Sequence, residues 1–405
     1  MTIADNESGV PPRAFAFRMA LLYSLFFAYI AMFLPYFPLW LKNAGLGPNE
    51  IALVLSLPML VRIATSGAIS AFADRTRERA NVLIVLMGGS ALCVAAFPFA
   101  SGFWPLLAIA LVMALFNHPL QPVMDSITLT GVRRFGFDYG RIRLWGSAVF
   151  IAVNLAGGWI LSAHGIGAIM LAMIGTACLG FVLSPLTPRL GSPKKPANSH
   201  EVTSASTWKL MQNRKFMLVT AGCGIVQASH AMFYGFGSIH FEEAGYSGQV
   251  IGLLWGVGVL AEIVLFQFSR RVLGRITPVG LAVLGAVAAV LRWAAMALQP
   301  GFAGLLFLQA LHGLSFGATH LGLMHFYASA VPDQRMGAAQ AAGFVTAAVA
   351  MGLLTLASGA LYAHFGVFGF LAMTAASVAG LALLLMAQRL QPQSAELGGE
   401  TFPPA

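Results

Sequence analysis

The chain alternates long apolar runs with short polar interruptions. From Met19 to Leu41 there is no charged residue, and Lys42 with the Gly45-Leu46-Gly47-Pro48 turn closes the run. About 20 apolar residues cross a hydrocarbon core, so this run predicts a membrane-crossing helix. The same punctuation by charge, Gly and Pro predicts helices near 51–73, 80–99, 104–130, 143–163 and 166–186. Residues 187–213 break the pattern: Pro188, Pro193, Pro196, Lys194, Lys195 and a Ser/Thr-rich stretch bury too little apolar surface to pack, and read as a solvated linker. Six further runs follow near 216–239, 249–269, 277–297, 302–328, 337–362 and 366–388. The expected fold class is all-α integral membrane, with twelve transmembrane helices in two six-helix bundles. The expected divisions are a tail at 1–17, bundles at 18–186 and 216–388, a linker at 187–215 and a second tail at 389–405.

The two halves repeat at a constant offset of 200 residues. Ala31-Met32-Phe33 recurs as Ala231-Met232-Phe233, Ala44-Gly45 as Ala244-Gly245, Ile51 as Ile251 and Leu53 as Leu253. A duplicated six-helix unit accounts for this and makes the bundles pseudo-symmetric.

Composition narrows the class further. Of 405 residues 58% are hydrophobic and 9% charged, against about 25% charged in a soluble domain, which excludes a soluble globular protein. The net charge of +9 comes from 23 Lys and Arg. Twenty of these fall in the N-terminal segment, the loops at 74–79, 131–143, 270–275 and 331–336, the linker and the C-tail; Lys42 lies on the other side, and Arg62 and Arg292 lie within spans. That bias predicts a multi-pass protein of the cytoplasmic (inner) membrane with both termini cytoplasmic. No basic, aromatic-bearing module stands outside the spans, so no nucleic-acid partner is expected. The polar start up to Arg18 lacks a small-residue cleavage site, which predicts a retained first helix. Cys93, Cys178 and Cys223 lie in apolar stretches without metal-ligand spacing and read as buried thiols.

An ionisable side chain within a span costs several kcal/mol unless it meets a cavity or a partner, and is a functional candidate for that reason. Here these are Arg62, Asp125, Arg143, Glu262 and Arg292, with His118, His230, His312, His320 and His325 as titratable imidazoles. Arg62 and Glu262 stand at equivalent positions of the repeat, and both fit a central cavity; Arg62 also fits snorkelling to a membrane face. Glu262 and Arg292 fit either a static interhelical pair or a pair that re-forms in two states. Three arginines against two carboxylates leave one positive charge, which an anionic substrate balances. Around a regular helix His312, His320 and His325 fall at about 0°, 80° and 220°, so they form no single stripe. Their spacing misses the zinc-hydrolase pattern, and no metal or cofactor is expected. His312 and His320 are the better cavity candidates.

Tyr29, Tyr36, Trp145, Phe150, Tyr234, Phe236, Trp255 and Trp293 are available as an aromatic lining, and Asn117, Gln227 and Gln309 as interior amides. The Asp74-Arg75-Thr76-Arg77-Glu78-Arg79 loop suits clamping neighbouring helix ends in one state, and equally serves as a topology signal. No nucleophile, base and orienter form a recognisable catalytic motif, which argues against an enzyme.

The twelve runs, the central linker and the Asp74-Arg75 loop resemble the major facilitator superfamily. DYGRIRLWGS (138–147), FLPYFPLWLKNAGL (33–46), YGFGSIHFEEAGYS (234–247), GVLAEIVLF (258–266) and LRWAAMA (291–297) resemble the phenylpropionate permease family, a relative of lactose permease type proton symporters. The resemblance implies that Asp125 and Arg143 match sugar-binding residues of that type. It implies that Glu262 and Arg292 match substrate and coupling residues, and that His312 matches a helix-ten histidine. Three residues after that histidine, where the lactose type has a glutamate, stands Ser315; three before it a lysine is replaced by Gln309. Ser70 and Arg77 replace glycines of the superfamily loop.

The expectation is a proton-coupled symporter importing a small aromatic carboxylate such as 3-phenylpropionate by alternating access, functional as a monomer in the bilayer. Its proton-coupling residues are Glu262, Arg292 and His312. Its substrate-binding residues are Arg143, Asp125, Arg62, Tyr36, Trp145, His230 and His320, and Asp74 and Arg75 form its conformational loop. A proton symporter for a neutral sugar or nucleoside is the alternative.

Overall fold

The computed structural model describes residues 12–76, 78–191, 210–332 and 335–390, and among them every regular element is helical. Among the described residues nine helices are long and apolar enough to cross a membrane. Two of these are composite. Tyr139–Leu186 bends at Gly165, whose φ of 77° and ψ of 179° are open to a residue without Cβ, and Met336–Arg389 breaks at Gly366. Pro48–Arg75 is a further long helix, and the fold is all-α and membrane-embedded.

Contacts divide the chain into two compact units: Met1–Lys195 together with Tyr234–Gly256, and Pro196–Phe233 together with Val257–Ala405. The first unit is built on α1 (Phe15–Asn43), α2 (Pro48–Arg75), α3 (Arg79–Ala96), α4 (Phe103–Asn117), α5 (Leu120–Phe135) and α6 (Tyr139–Leu183). Local chemistry sets the starts of these helices. Pro48 occupies the first turn of α2 while Glu50 accepts the Gly47 amide at 2.9 Å, and Asp138 caps α6 through the Arg141 amide at 3.1 Å. Phe15, Met19, Leu22, Tyr23 and Phe26 follow the 3.6-residue period of α1 and bury against Leu83, Leu120, Met124 and Ile142 of α3, α5 and α6.

Tyr234–Gly256 joins this unit through glycine. A Cβ at Gly158 would stand 2.4 Å from the Gly248 carbonyl oxygen, and one at Gly252 2.4 Å from that of Asn154. Only glycine lets the two backbones approach so closely, the usual way for helices to associate where no hydrophobic drive separates side chains from lipid. At the C-terminal end of α1, Lys42 Nζ reaches Glu242 Oε2 at 3.1 Å and Glu243 Oε1 at 3.0 Å.

The second unit is carried by α7 (Arg214–Ala228), the Val257–Gln267 part of a helix starting at Gly248, Pro278–Ala297, Phe302–Ala310, Thr319–Ala330, Met336–Phe365 and Phe370–Arg389. The sequence expectation of uninterrupted helices over 216–239 and 302–328 is modified. Both contain a π-helical turn, Phe233–Gly237 and Gly313–Ala318. Each is rich in glycine, which lowers the preference for regular helix, and such turns concentrate at functional sites. The expected run over 104–130 is likewise two helices, interrupted at His118-Pro119, because Pro119 lacks the amide that would continue the ladder.

Candidate functional site

In the first unit, three helices each present a pair of residues three or four positions apart, hence on one face: Tyr23 and Phe27 on α1, Asp125 and Thr128 on α5, Tyr139 and Arg143 on α6. The Asp125 carboxylate accepts a short hydrogen bond from Tyr23 Oη and one of 3.0 Å from Tyr139 Oη. Thr128 Oγ1 lies 3.3 Å from Tyr23 Oη. The half-buried Arg143 guanidinium sits over the Phe27 ring, 3.9 Å from its centroid, and 5.5 Å from that of Tyr23. Among the described residues Arg143 has no carboxylate partner within ion-pair distance, since Asp125 is taken by phenols. Stacking uses the face of the guanidinium and leaves its in-plane N–H donors for a planar anion.

The other expected binding residues of this unit separate from that cluster. Arg62 lies beside His118, which bonds to the Pro58 carbonyl. Tyr36 is fully buried and donates to the Asn154 carbonyl at 2.8 Å, tying α1 to α6. Trp145 is 61% exposed and lines a groove with Phe17, Leu21, Ser24 and Arg141; two residues from Arg143 on a helix, it points about 200° away. Asp74 and Arg75 end α2, and their side chains lie outside the described residues, as does residue 77.

The second unit holds a buried polar network. Arg292, 1% exposed, donates from Nη1 to His312 Nδ1 at 2.9 Å and to Ser315 Oγ at 3.2 Å, and from Nη2 to Gln309 Oε1 at 2.8 Å. Its guanidinium lies 4.5 Å from the Trp293 ring centroid and 5.1 Å from that of Phe233. His230 directs Nδ1 at the Gln227 carbonyl at 3.1 Å, which makes Nδ1 the protonated nitrogen; Nε2 then accepts from Ser315 Oγ at 3.0 Å. By the same logic His312 accepts at Nδ1 and carries its proton on Nε2, which faces Glu262 Oε2 at 3.9 Å. The directions chain without conflict, with both imidazoles neutral, and the His312 ring stands between Arg292 and Glu262. Glu262 keeps 23% of its side chain exposed, whereas His230 and Ser315 have none.

His320 joins this group by stacking rather than hydrogen bonding. The rings of His312, Phe316 and His320 form a ladder with centroid separations of 5.3 and 6.3 Å and interplanar angles of 11° and 5°. The 80° spread expected for His312 and His320 assumed a regular helix; the Gly313–Ala318 turn lowers the twist per residue and brings them into line. Sequence reasoning missed Tyr23, Phe27 and Tyr139. The spacing of Tyr139 four residues before Arg143 was the available signal, while Tyr23 is identified only by the packing of α1 on α5.

Two units of membrane-spanning helices, each holding charged side chains in a polar network, fit a multi-pass membrane transporter of small molecules. Comparison with known proteins agrees. Residues 16–372 match the MFS_1 like family. The chain is 30% identical to a "Probable 3-phenylpropionic acid transporter" of Escherichia coli (strain K12) over 374 residues, 88% of this chain and 94% of that one. It is 27% identical to a "Maltose permease" of Geobacillus stearothermophilus over 377 residues, 90% and 92% of the two chains. Among solved structures, that of the nucleoside transporter NupG superimposes with a TM-score of 0.79 at 16% identity, over 93% of this chain and all of that one. A bacterial homologue of the lysosomal transporter Spinster, inward-facing and unoccupied, superimposes with a TM-score of 0.72 at 14% identity, over 93% and 98%. The chain belongs to the MFS_1 like family of the major facilitator superfamily.

Proposed function

We propose that the protein is a proton-coupled symporter of the inner membrane that imports a small aromatic monocarboxylate, with 3-phenylpropionate as the leading case, and has both termini in the cytoplasm. The observation that carries the substrate class is Arg143. A guanidinium stacked on Phe27, with its neighbouring carboxylate satisfied by Tyr23 and Tyr139, is a cation ready for a bidentate carboxylate. In a sugar site built on the same two residues, Asp125 and Arg143 would instead share the ligand's hydroxyls or each other.

Proton coupling is assigned to Glu262 with His312 and Arg292. Both imidazoles are committed as acceptors inside the buried chain, so a proton entering there breaks a hydrogen bond. Glu262 stands at the partly exposed end of the chain, where a proton reaches it without entering the buried bonds. Protonation removes its attraction to the His312 Nε2–H, and His312 in turn bonds Arg292, so loading changes how the guanidinium is held. Alternating access then couples this step to movement of the bound acid.

The test is uptake of labelled 3-phenylpropionate into proteoliposomes with an inward proton gradient, after subtraction of the leak through protein-free liposomes. Gradient-driven uptake by the wild type, with no saturable binding by Arg143→Ala, is expected. Unchanged affinity in Arg143→Ala overturns the anchor. The similarity to the maltose permease and to NupG favours a second reading, symport of a neutral sugar or nucleoside; accumulation of those compounds with no competition by aryl acids selects it.

A further inference from the structure

The geometry of the first unit carries one step beyond that reading, on which it rests. Asp125 and Arg143 both meet Tyr23. The carboxylate takes the Tyr23 hydroxyl and the guanidinium lies 5.5 Å from the centre of the same ring. They do not bond to each other. Tyr139, one turn before Arg143 on α6, closes on the same carboxylate oxygen that Tyr23 reaches, Oδ1. Tyr23 is buried with the core of α1, and Thr128 backs its oxygen from α5. The carboxylate is thus fixed from two helices by neutral donors. We propose that Tyr23 and Tyr139 are positioning residues that set the preference for an anionic over a neutral substrate, by holding Asp125 off Arg143.

The physical reason is competition for one cation. A guanidinium paired with a protein carboxylate offers a substrate no net charge, and an incoming carboxylate must then displace an intramolecular partner of high effective concentration. Two phenol donors stabilise the Asp125 charge without neutralising Arg143, so the cation is reserved for the ligand. Removing the phenols leaves the carboxylate short of donors, and Arg143, which shares the Tyr23 ring with it, is a charged donor that can replace them. A neutral ligand of the same shape gains nothing from the reserved charge and loses little when it is cancelled.

The experiment compares 3-phenylpropionate with 3-phenylpropionamide as competitors of counterflow in proteoliposomes. It uses wild type, Tyr139→Phe, Tyr23→Phe/Tyr139→Phe, and the double variant carrying Asp125→Asn. The wild type is expected to prefer the acid. The double phenylalanine variant is expected to lose about tenfold of that preference through the acid's KM, the amide changing little, since a hydrogen bond to a charged group is worth that much. Asp125→Asn, which removes the competing charge, is expected to restore the preference. A merely structural role for the phenols predicts equal losses for both ligands and no rescue. Acid preference in the wild type that persists in the double variant overturns the inference and leaves the carboxylate site standing. A wild type with no preference for the acid overturns the carboxylate site and the inference with it. Tyr139→Phe alone, at a half-buried position, supplies the comparison if the double variant misfolds: a partial loss of preference supports the proposal and none overturns it.

Discussion

Replacing Ser315 by alanine tests whether the buried chain of the second unit is an ordered network or a set of coincident contacts. The hydroxyl has no exposed surface and serves two partners, accepting from Arg292 at 3.2 Å and donating to His230 at 3.0 Å. A neutral interhelical hydrogen bond within a bilayer is worth about 1 kcal/mol, and one that involves a charged group about twice that. Ser315→Ala therefore should cost about 3 kcal/mol, with Arg292 still held by His312 and Gln309. His230→Phe keeps the ring edge against Trp293 and removes the other end of the bond. In the double variant the shared bond is lost only once, so the two costs should fall short of additivity by about 1 kcal/mol. The readout is built in: Cys223, fully buried on α7 with His230 seven residues on, becomes reactive to a thiol probe when the unit opens. Pulsed labelling in detergent or bicelles gives an opening free energy for each of the four proteins. Additivity within about 0.3 kcal/mol, or an alanine variant as stable as the wild type, would refute the assignment of proton positions along the chain.

Three other outcomes follow from the geometry. Glu262→Gln, fixed in the neutral form, should exchange labelled for unlabelled substrate across proteoliposomes but fail to accumulate it against a gradient; accumulation by this variant removes Glu262 from coupling. Gly158→Val places side-chain atoms against the Gly248 backbone, which cannot swing aside, and should lower stability by about 1–3 kcal/mol; a thermal midpoint equal to the wild type's refutes the close approach. Asp138→Ala deletes the cap of α6 and should cost about 1 kcal/mol, measured in the same unfolding assay and recovered by Asp138→Asn.

The apolar runs and their punctuation made most of the helical layout legible, because the cost of unsatisfied backbone in lipid leaves the chain few alternatives. What escaped were departures from regular helix. The Gly313–Ala318 turn is a matter of one extra residue per turn, which no hydrophobic period reports, yet it aligns His312 with His320 through Phe316. Arg292 and His312 were legible as buried charge within spans, and so were Asp125 and Arg143. Their pairings were not, because Tyr23, Ser315 and Gln309 reach them across sequence distances of 102, 23 and 17 residues. Trp145 was legible as an aromatic residue available for a lining, but its direction was not: helical geometry turns it to the side of α6 away from Arg143.

Lys42 and Glu242 are counterparts under the 200-residue repeat, and they touch. A position that meets its own copy has a peculiar history open to it. In an assembly of two identical six-helix chains the same residue would stand on both sides, so lysine would face lysine or glutamate face glutamate, and like charges at that range repel. Fusion of the two copies into one chain lifts this restriction, because each copy then mutates alone. The Lys42–Glu242 bridge is an arrangement that two identical copies cannot make, and at this position the halves of the transporter are no longer interchangeable.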